Sequence, residues 1–259
     1  MNLPKAYYDF RRWALRHFVP EWYWPAEVNL DGAVIRLRNT PYSFGVRLHL
    51  KKGLYEKGER QFIAQTVKPG MQVLELGGSI GVVTAVLAHK VGPTGRVVSV
   101  EASPRLAAFS RGWLEKDGRV KVVVGYAFPV WQLPEGLRVE SFTGDEVSLG
   151  GRVDFNVSDG AAANPPAGEA SSRTYDIETL CRENDLRPDA LVIDIEGSEA
   201  LLLKTPPRLP ATIKIVVAEM HPWAYPNGEA DLERMMNTLR EEGFALGART
   251  EDVVLLQRD

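Results

Sequence analysis

The chain has 259 residues, 44% hydrophobic and 25% charged, enough to bury a full core, and its length suits one large α/β domain carrying additions. A formal net charge of −3 gives no electrostatic footprint for tight nucleic-acid binding, so nucleic acid is not expected as a partner. The single cysteine, Cys181, excludes an internal disulfide, no zinc-type spacing or secretory signal is found, and no apolar run is long enough to span a bilayer; a cytoplasmic protein is expected.

In the opening segment, Leu3, Tyr7, Phe10, Ala14 and Phe18 fall on one helical stripe, with Lys5, Asp9, Arg12 and Arg16 on another, a pattern that Pro20 ends. Docking onto the protein's own core is the expected fate of this helix, and peripheral membrane contact of residues 1–24 is the alternative. Residues 28–50 alternate and carry turn signals at Asp31-Gly32 and Asn39-Thr40-Pro41. That predicts an antiparallel hairpin and completes a helix and hairpin cap over residues 1–54.

From Gln72 onward short apolar strands alternate with helical stretches, the mark of a mainly parallel sheet covered on both faces. Strands are expected at 72–76, 96–100, 119–124, 190–195 and 212–219, and helices at 80–91, 104–116 and 229–242. Two last strands, 244–248 and 252–257, flank a turn at Arg249-Thr250-Glu251, which puts an antiparallel strand at or near the sheet edge. Regularity lapses over the insertion 126–174, with Gly150-Gly151, Asp159-Gly160 and Pro165-Pro166; such a segment reads as a lid, a substrate wall or a plain surface excursion. Asp176 is placed to cap the helix Ile177–Asn184, and Cys181 to sit in the core.

The run Val73-Leu74-Glu75-Leu76-Gly77-Gly78-Ser79-Ile80-Gly81 sets a glycine turn between a buried strand and a helix start, where backbone approaches a ligand unhindered. Glu101, followed by Ala102, stands at the tip of the next strand, placed to accept hydrogen bonds from a ribose diol. A dinucleotide fingerprint would need glycine at position 76, where Leu76 stands. An acid at Glu75 would repel a pyrophosphate, whereas S-adenosylmethionine carries an ammonium and a sulfonium. A methyl donor is therefore expected rather than NAD, the plainer reading of Glu75 being a hydrogen-bonded loop carboxylate. Tyr126, Trp131 and Trp223 are aromatic residues near the mouth, for stacking on a ligand or for packing.

These motifs resemble the FkbM family of S-adenosylmethionine-dependent methyltransferases. Tyr55-Glu56 matches that family's Tyr-Glu element, residues 75–81 its acid-x-Gly-Ala-Asn-Ile-Gly turn, and Glu101-Ala102-Ser103-Pro104 its Glu-Pro-Asn-Pro element. Ile193-Asp194-Ile195-Glu196-Gly197-Ser198-Glu199 is similar to its Ile-Asp-Val-Glu-Gly-Ala-Glu block, and Glu219-Met220-His221-Pro222 to its acid and histidine after the fifth strand. Ser79 replaces the usual Asn of the turn, and Val192 the lysine of many relatives. The resemblance implies a Rossmann-like class I methyltransferase sheet over 55–259 and S-adenosylmethionine as cofactor. It also implies O-methylation of a hydroxyl on a sugar, glycan, lipid-linked intermediate or secondary metabolite. A non-catalytic methyltransferase-like module and an NAD-dependent oxidoreductase are the alternatives.

The candidate cofactor-binding residues are Glu75, Gly77, Gly78, Ser79, Gly81, Glu101, Ala102 and Tyr126, and the candidate catalytic residues are His221, Asp194 and Glu196. Methyl transfer to oxygen is an in-line displacement in which an alcohol gains from losing its proton, and His221 is the side chain best matched to base work near neutral pH. The plainer readings are a histidine braced by Pro222 and Trp223, and a Glu196 that caps the helix beginning near Gly197. These strand-end groups have the chemistry to hold Mg²⁺ or a similar ion, but no dedicated ligand spacing is present, so no metal is expected.

Overall fold

The computed structural model describes residues 19–133, 138–139, 157–158 and 173–259. The helix expected in the opening segment, most of the membrane-contact segment 1–24 and the greater part of the 126–174 insertion lie outside the described residues.

In chain order the elements are β1 (Glu27–Leu30), β2 (Ala33–Arg36), α1 (Phe44–Lys52), α2 (Lys57–Thr66), β3 (Gln72–Leu76), α3 (Val82–Val91), β4 (Arg96–Glu101), α4 (Pro104–Leu114) and β5 (Val120–Val124). Short strands follow, β6 (Tyr126–Ala127), β7 (Arg138–Val139), β8 (Val157–Ser158) and β9 (Thr174–Tyr175), then α5 (Ile177–Asn184), β10 (Ala190–Ile193), β11 (Ile215–Glu219), α6 (Glu229–Glu241), β12 (Ala245–Thr250) and β13 (Val253–Gln257). The hairpin β1–β2 turns at Asp31-Gly32 but is shorter than expected, because residues 44–52 are helical. The cause is local: Ser43 Oγ accepts the Val46 N–H as N-cap, Val46 and Leu50 share the buried face, and Gly53 closes the helix at φ 69°.

Seven strands form the central sheet in the order β12-β13-β11-β10-β3-β4-β5. Strands β11, β10, β3, β4 and β5 run parallel, and β13 lies antiparallel between β11 and the edge strand β12. This is the Rossmann-like sheet of class I methyltransferases, with the expected C-terminal antiparallel strand one place in from the edge. Alternate residues feed two cores: Val73, Val97 and Val217 on one face, Leu74, Val98 and Val216 on the other, all fully buried. Leu30, Ile35, Leu37 and Leu50 of the cap join the first core, where β2 packs on α3, the helix that follows the glycine turn. Asp176 Oδ1 accepts the Thr179 N–H as N-cap of α5, and Cys181 is buried, as expected. Among the described residues no helix is long and apolar enough to cross a membrane.

From β3 the sheet grows to β4 on one side and to β10 on the other. The carboxyl ends at such a switch point open a crevice.

Candidate active site

At the end of β3 the N–H groups of Gly77 and Gly78 both donate to the Val100 carbonyl, at 2.8 and 2.9 Å. A Cβ on Gly78 would stand 2.1 Å from Ser99 Oγ, and a side chain at Gly77, where φ is 94°, would run into the backbone of β10's end. Glycine at both positions lets the turn settle between β4 and β10. Gly81 is constrained differently: a Cβ there would meet Leu114 Cδ1 at 2.6 Å, so this glycine serves the packing of α3 on α4. Glu101, buried at the end of β4, accepts from the Ser79 N–H and the Ser103 N–H, each at 2.7 Å. Its carboxylate is thereby pinned against the turn.

Glu75 is 1% exposed: its Oε2 accepts from the Thr84 hydroxyl at 2.6 Å, and its Oε1 is enclosed without a hydrogen-bond partner. With Tyr55, Glu56, Glu59, Gly77, Gly78, Ser79 and Asp194 it lines a small cavity under the turn. An enclosed carboxylate with unused acceptor capacity fits the cationic end of S-adenosylmethionine, as it would not fit a pyrophosphate. Gly81, Glu101, Ala102 and Tyr126 of the candidate set lie outside the lining of this cavity. Tyr126 pairs with Thr174 across β6 and β9, and Trp131 packs on the second core.

β10 stops at Ile193, two residues short of expectation: the Asp194 N–H still donates to the Leu76 carbonyl, but the chain then turns through positive φ at Glu196 (51°) and Gly197 (103°). Gly197, not Glu196, is the N-cap of the short 3-10 helix Ser198–Leu203, so Glu196 has no capping duty. His221, 5% exposed, follows β11; its Nε2 lies 3.6 Å from both Asp194 Oδ1 and Glu196 Oε2, and its Nδ1 lies 3.2 Å from Glu199 Oε1. Glu199, wholly buried, also accepts from the Ile195 N–H at 3.1 Å and the Tyr225 hydroxyl at 3.4 Å, while that hydroxyl accepts the His221 N–H at 2.8 Å. Glu199 and Tyr225 therefore fix the ring, and neither was among the expected site residues. Trp223, 51% exposed, meets the imidazole edge-on at 5.6 Å.

Glu56 and Glu59 reach the same crevice from the start of α2, where Gly58 lets the helix lie against β13; a Cβ there would sit 2.9 Å from Val253 Cγ2. Oxygens of Glu56, Glu59, Asp194 and Glu219 lie within 4.8 Å of one another. Burial raises all their carboxyls above the ordinary range, Glu56 to about 7 and Glu59 and Asp194 well above it, with mutual repulsion adding to the effect. Burial likewise pushes Glu75 up to about 7. For His221 burial acts to lower the pKa, but the Glu199 hydrogen bond and the charges of Glu199, Glu196 and Glu219 outweigh it and raise it to about 9. The surrounding carboxylates thus favour the imidazolium form of His221.

The sheet order, glycine turn and pinned Glu101 have the layout of the donor half of S-adenosylmethionine-dependent methyltransferases. Residues 59–128 match the family model of protein-L-isoaspartate(D-aspartate) O-methyltransferase. The chain is similar to a protein-L-isoaspartate O-methyltransferase of Methanopyrus kandleri, 49% identical over 61 residues that cover 22% of this chain and 27% of the relative. The Arabidopsis thaliana protein-L-isoaspartate O-methyltransferase 1 is 32% identical over 101 residues, covering 36% and 44%. The chain thus spans less than half the length of these curated relatives. Among solved structures it is similar to Aeropyrum pernix fibrillarin with natively bound S-adenosyl-L-methionine, at 14% identity and TM-score 0.46, covering 93% of this chain and 85% of that one. The isoaspartate branch is distinct from FkbM, and its matched segment ends before Asp194, Glu196, Glu199, Glu219 and His221.

Proposed function

We propose that the protein is an S-adenosylmethionine-dependent O-methyltransferase acting on a hydroxyl of a sugar, glycan, lipid-linked intermediate or secondary metabolite, in the manner of the FkbM family. The observation that carries this reading is the convergence of Asp194, Glu196 and Glu199 on His221. An isoaspartyl carboxylate is already a nucleophile and needs no base. A hydroxyl needs a proton acceptor and donates readily to carboxylates.

When bound, S-adenosylmethionine supplies an electrophilic methyl group on a sulfonium. Asp194 and Glu196 accept the hydrogen bond of the acceptor hydroxyl and aim its oxygen. His221 in its neutral form takes the proton, a form whose share grows as pH rises towards 9. Glu199 and Tyr225 hold the ring in register. Residues 1–54 act as a cap and 55–259 as the methyltransferase domain, in the cytoplasm, where a lone buried Cys181 stays reduced, and without a nucleic-acid partner.

Incubation with methyl-labelled donor, a panel of hydroxyl acceptors and, separately, an isoaspartyl peptide tests the reading. Alkali-stable label on a hydroxyl acceptor is expected. Alkali-labile label confined to the peptide would replace this function with carboxyl methylation, and tight binding of S-adenosylhomocysteine without any transfer would leave a non-catalytic module.

A further inference from the structure

We propose that Glu56, Glu59, Asp194 and Glu219 form a binding site for a hard divalent cation beside the donor turn. Their oxygens converge within 4.8 Å although they come from three separate parts of the chain, the start of α2 and the ends of β10 and β11. That is why no ligand spacing is visible in the sequence. Glu59 is 1% exposed, contributes an oxygen to this convergence, lines the cavity under the turn, and its Oε2 has no hydrogen-bond partner. Asp194 Oδ1 is likewise enclosed and accepts no hydrogen bond, with His221 Nε2 at 3.6 Å as its charge partner. Buried carboxylate oxygens without hydrogen bonds are costly in a protein interior unless a ligand takes them up.

The charge count points the same way. Glu56, Glu59, Asp194, Glu196 and Glu219 all face this crevice, and among the described residues no lysine or arginine pairs with any of them; His221 is already matched by Glu199. S-adenosylmethionine carries a single net positive charge, which leaves most of theirs unbalanced. An all-oxygen set suits Mg²⁺, Mn²⁺ or Ca²⁺ rather than a thiophilic ion. Such ions take about six to eight oxygens, so carboxylates alone leave positions open. That an acceptor hydroxyl fills one of them rests on the function proposed above; the cation site itself does not.

The test is titration of the chelator-stripped full chain with Mn²⁺, followed by the paramagnetic resonance of the free ion. The expected result is one Mn²⁺ per chain, displaced by excess Mg²⁺ or Ca²⁺. Loss of even an outer-shell partner costs roughly tenfold in metal affinity, so Glu59→Gln and Asp194→Asn are each expected to weaken binding by at least that factor. If Glu59→Gln does not fold by circular dichroism, Asp194→Asn, at a strand end, decides alone. No Mn²⁺ binding by the native chain, or unchanged affinity in the folded variants, overturns the site. Saturating S-adenosylhomocysteine is expected to leave Mn²⁺ bound; its competitive displacement would reassign these carboxylates to the donor's ammonium and overturn the site too. Calorimetry of S-adenosylhomocysteine binding alone keeps a failure of the donor reading distinguishable from a failure of the metal site.

Discussion

The carbonyl oxygen of Asp194 occupies the space that a side chain on Gly77 would need, 1.6 Å from an ideal Cβ. The donor turn and the candidate catalytic strand end are therefore in backbone contact. Gly77→Ala is expected to separate them and abolish binding of S-adenosylhomocysteine. Gly112→Ala is the control: it lies in α4 with nothing within 4 Å of its Cβ, and should stabilise the fold by roughly 0.5–1 kcal/mol through helix propensity. Thermal melts and calorimetry of the two variants check both outcomes.

Glu101 serves two backbone donors at once, and removing it leaves the N–H groups of Ser79 and Ser103 without their acceptor. Glu101→Ala should weaken S-adenosylhomocysteine binding by about 1–3 kcal/mol, roughly five- to 150-fold. Unchanged affinity in calorimetry would show that the ribose is held elsewhere.

The carboxyl of Glu75, raised by burial from 4.5 to about 7, makes stability depend on pH with a definite sign. Between those two values the folded protein holds a proton that the unfolded chain releases, so stability falls as pH rises through that window and levels off above it. Glu75→Gln should remove about 3 kcal/mol of that slope. The difference in melting temperature between native and variant protein, followed from acid to neutral pH, reads it directly; parallel curves would mean the group does not titrate there.

His221→Ala is expected to lower turnover by roughly 10²–10⁴ while leaving donor-product affinity nearly intact. Glu199→Gln should lower kcat more than KM, because it loosens the ring without touching the acceptor. Steady-state kinetics on an identified acceptor separates the two, and near-native kcat in both would remove the histidine from the chemistry.

The donor turn was legible because its parts are contiguous: a strand, glycines and the next strand's acid stand in one stretch of sequence. The parallel strands were legible from their apolar runs. Alternation misled at Phe44, Val46, Leu48 and Leu50, which read as a strand while the Ser43 cap and the Gly53 terminator make a helix. Glu59 and Tyr225 carry no local signature, and Glu199, though it closes the motif 193–199, acquires its role from His221 and Tyr225, distant in the chain. The protonation of His221 was hidden for the same reason: it is set by carboxylates from three positions, of which Glu199 dominates.

The cap shares its interior with the sheet, and this limits how the chain can be shortened or recombined. Leu30, Ile35, Leu37 and Leu50 belong to the same core as Val73 and Val97, and β2 rests on α3. A version beginning at Tyr55 would bare the apolar surface of α3 that the cap covers and is expected to aggregate instead of yielding a minimal enzyme. Exchange of the cap between related proteins would succeed only where the helix surface beneath it changed in step, so the two parts are bound to evolve as one.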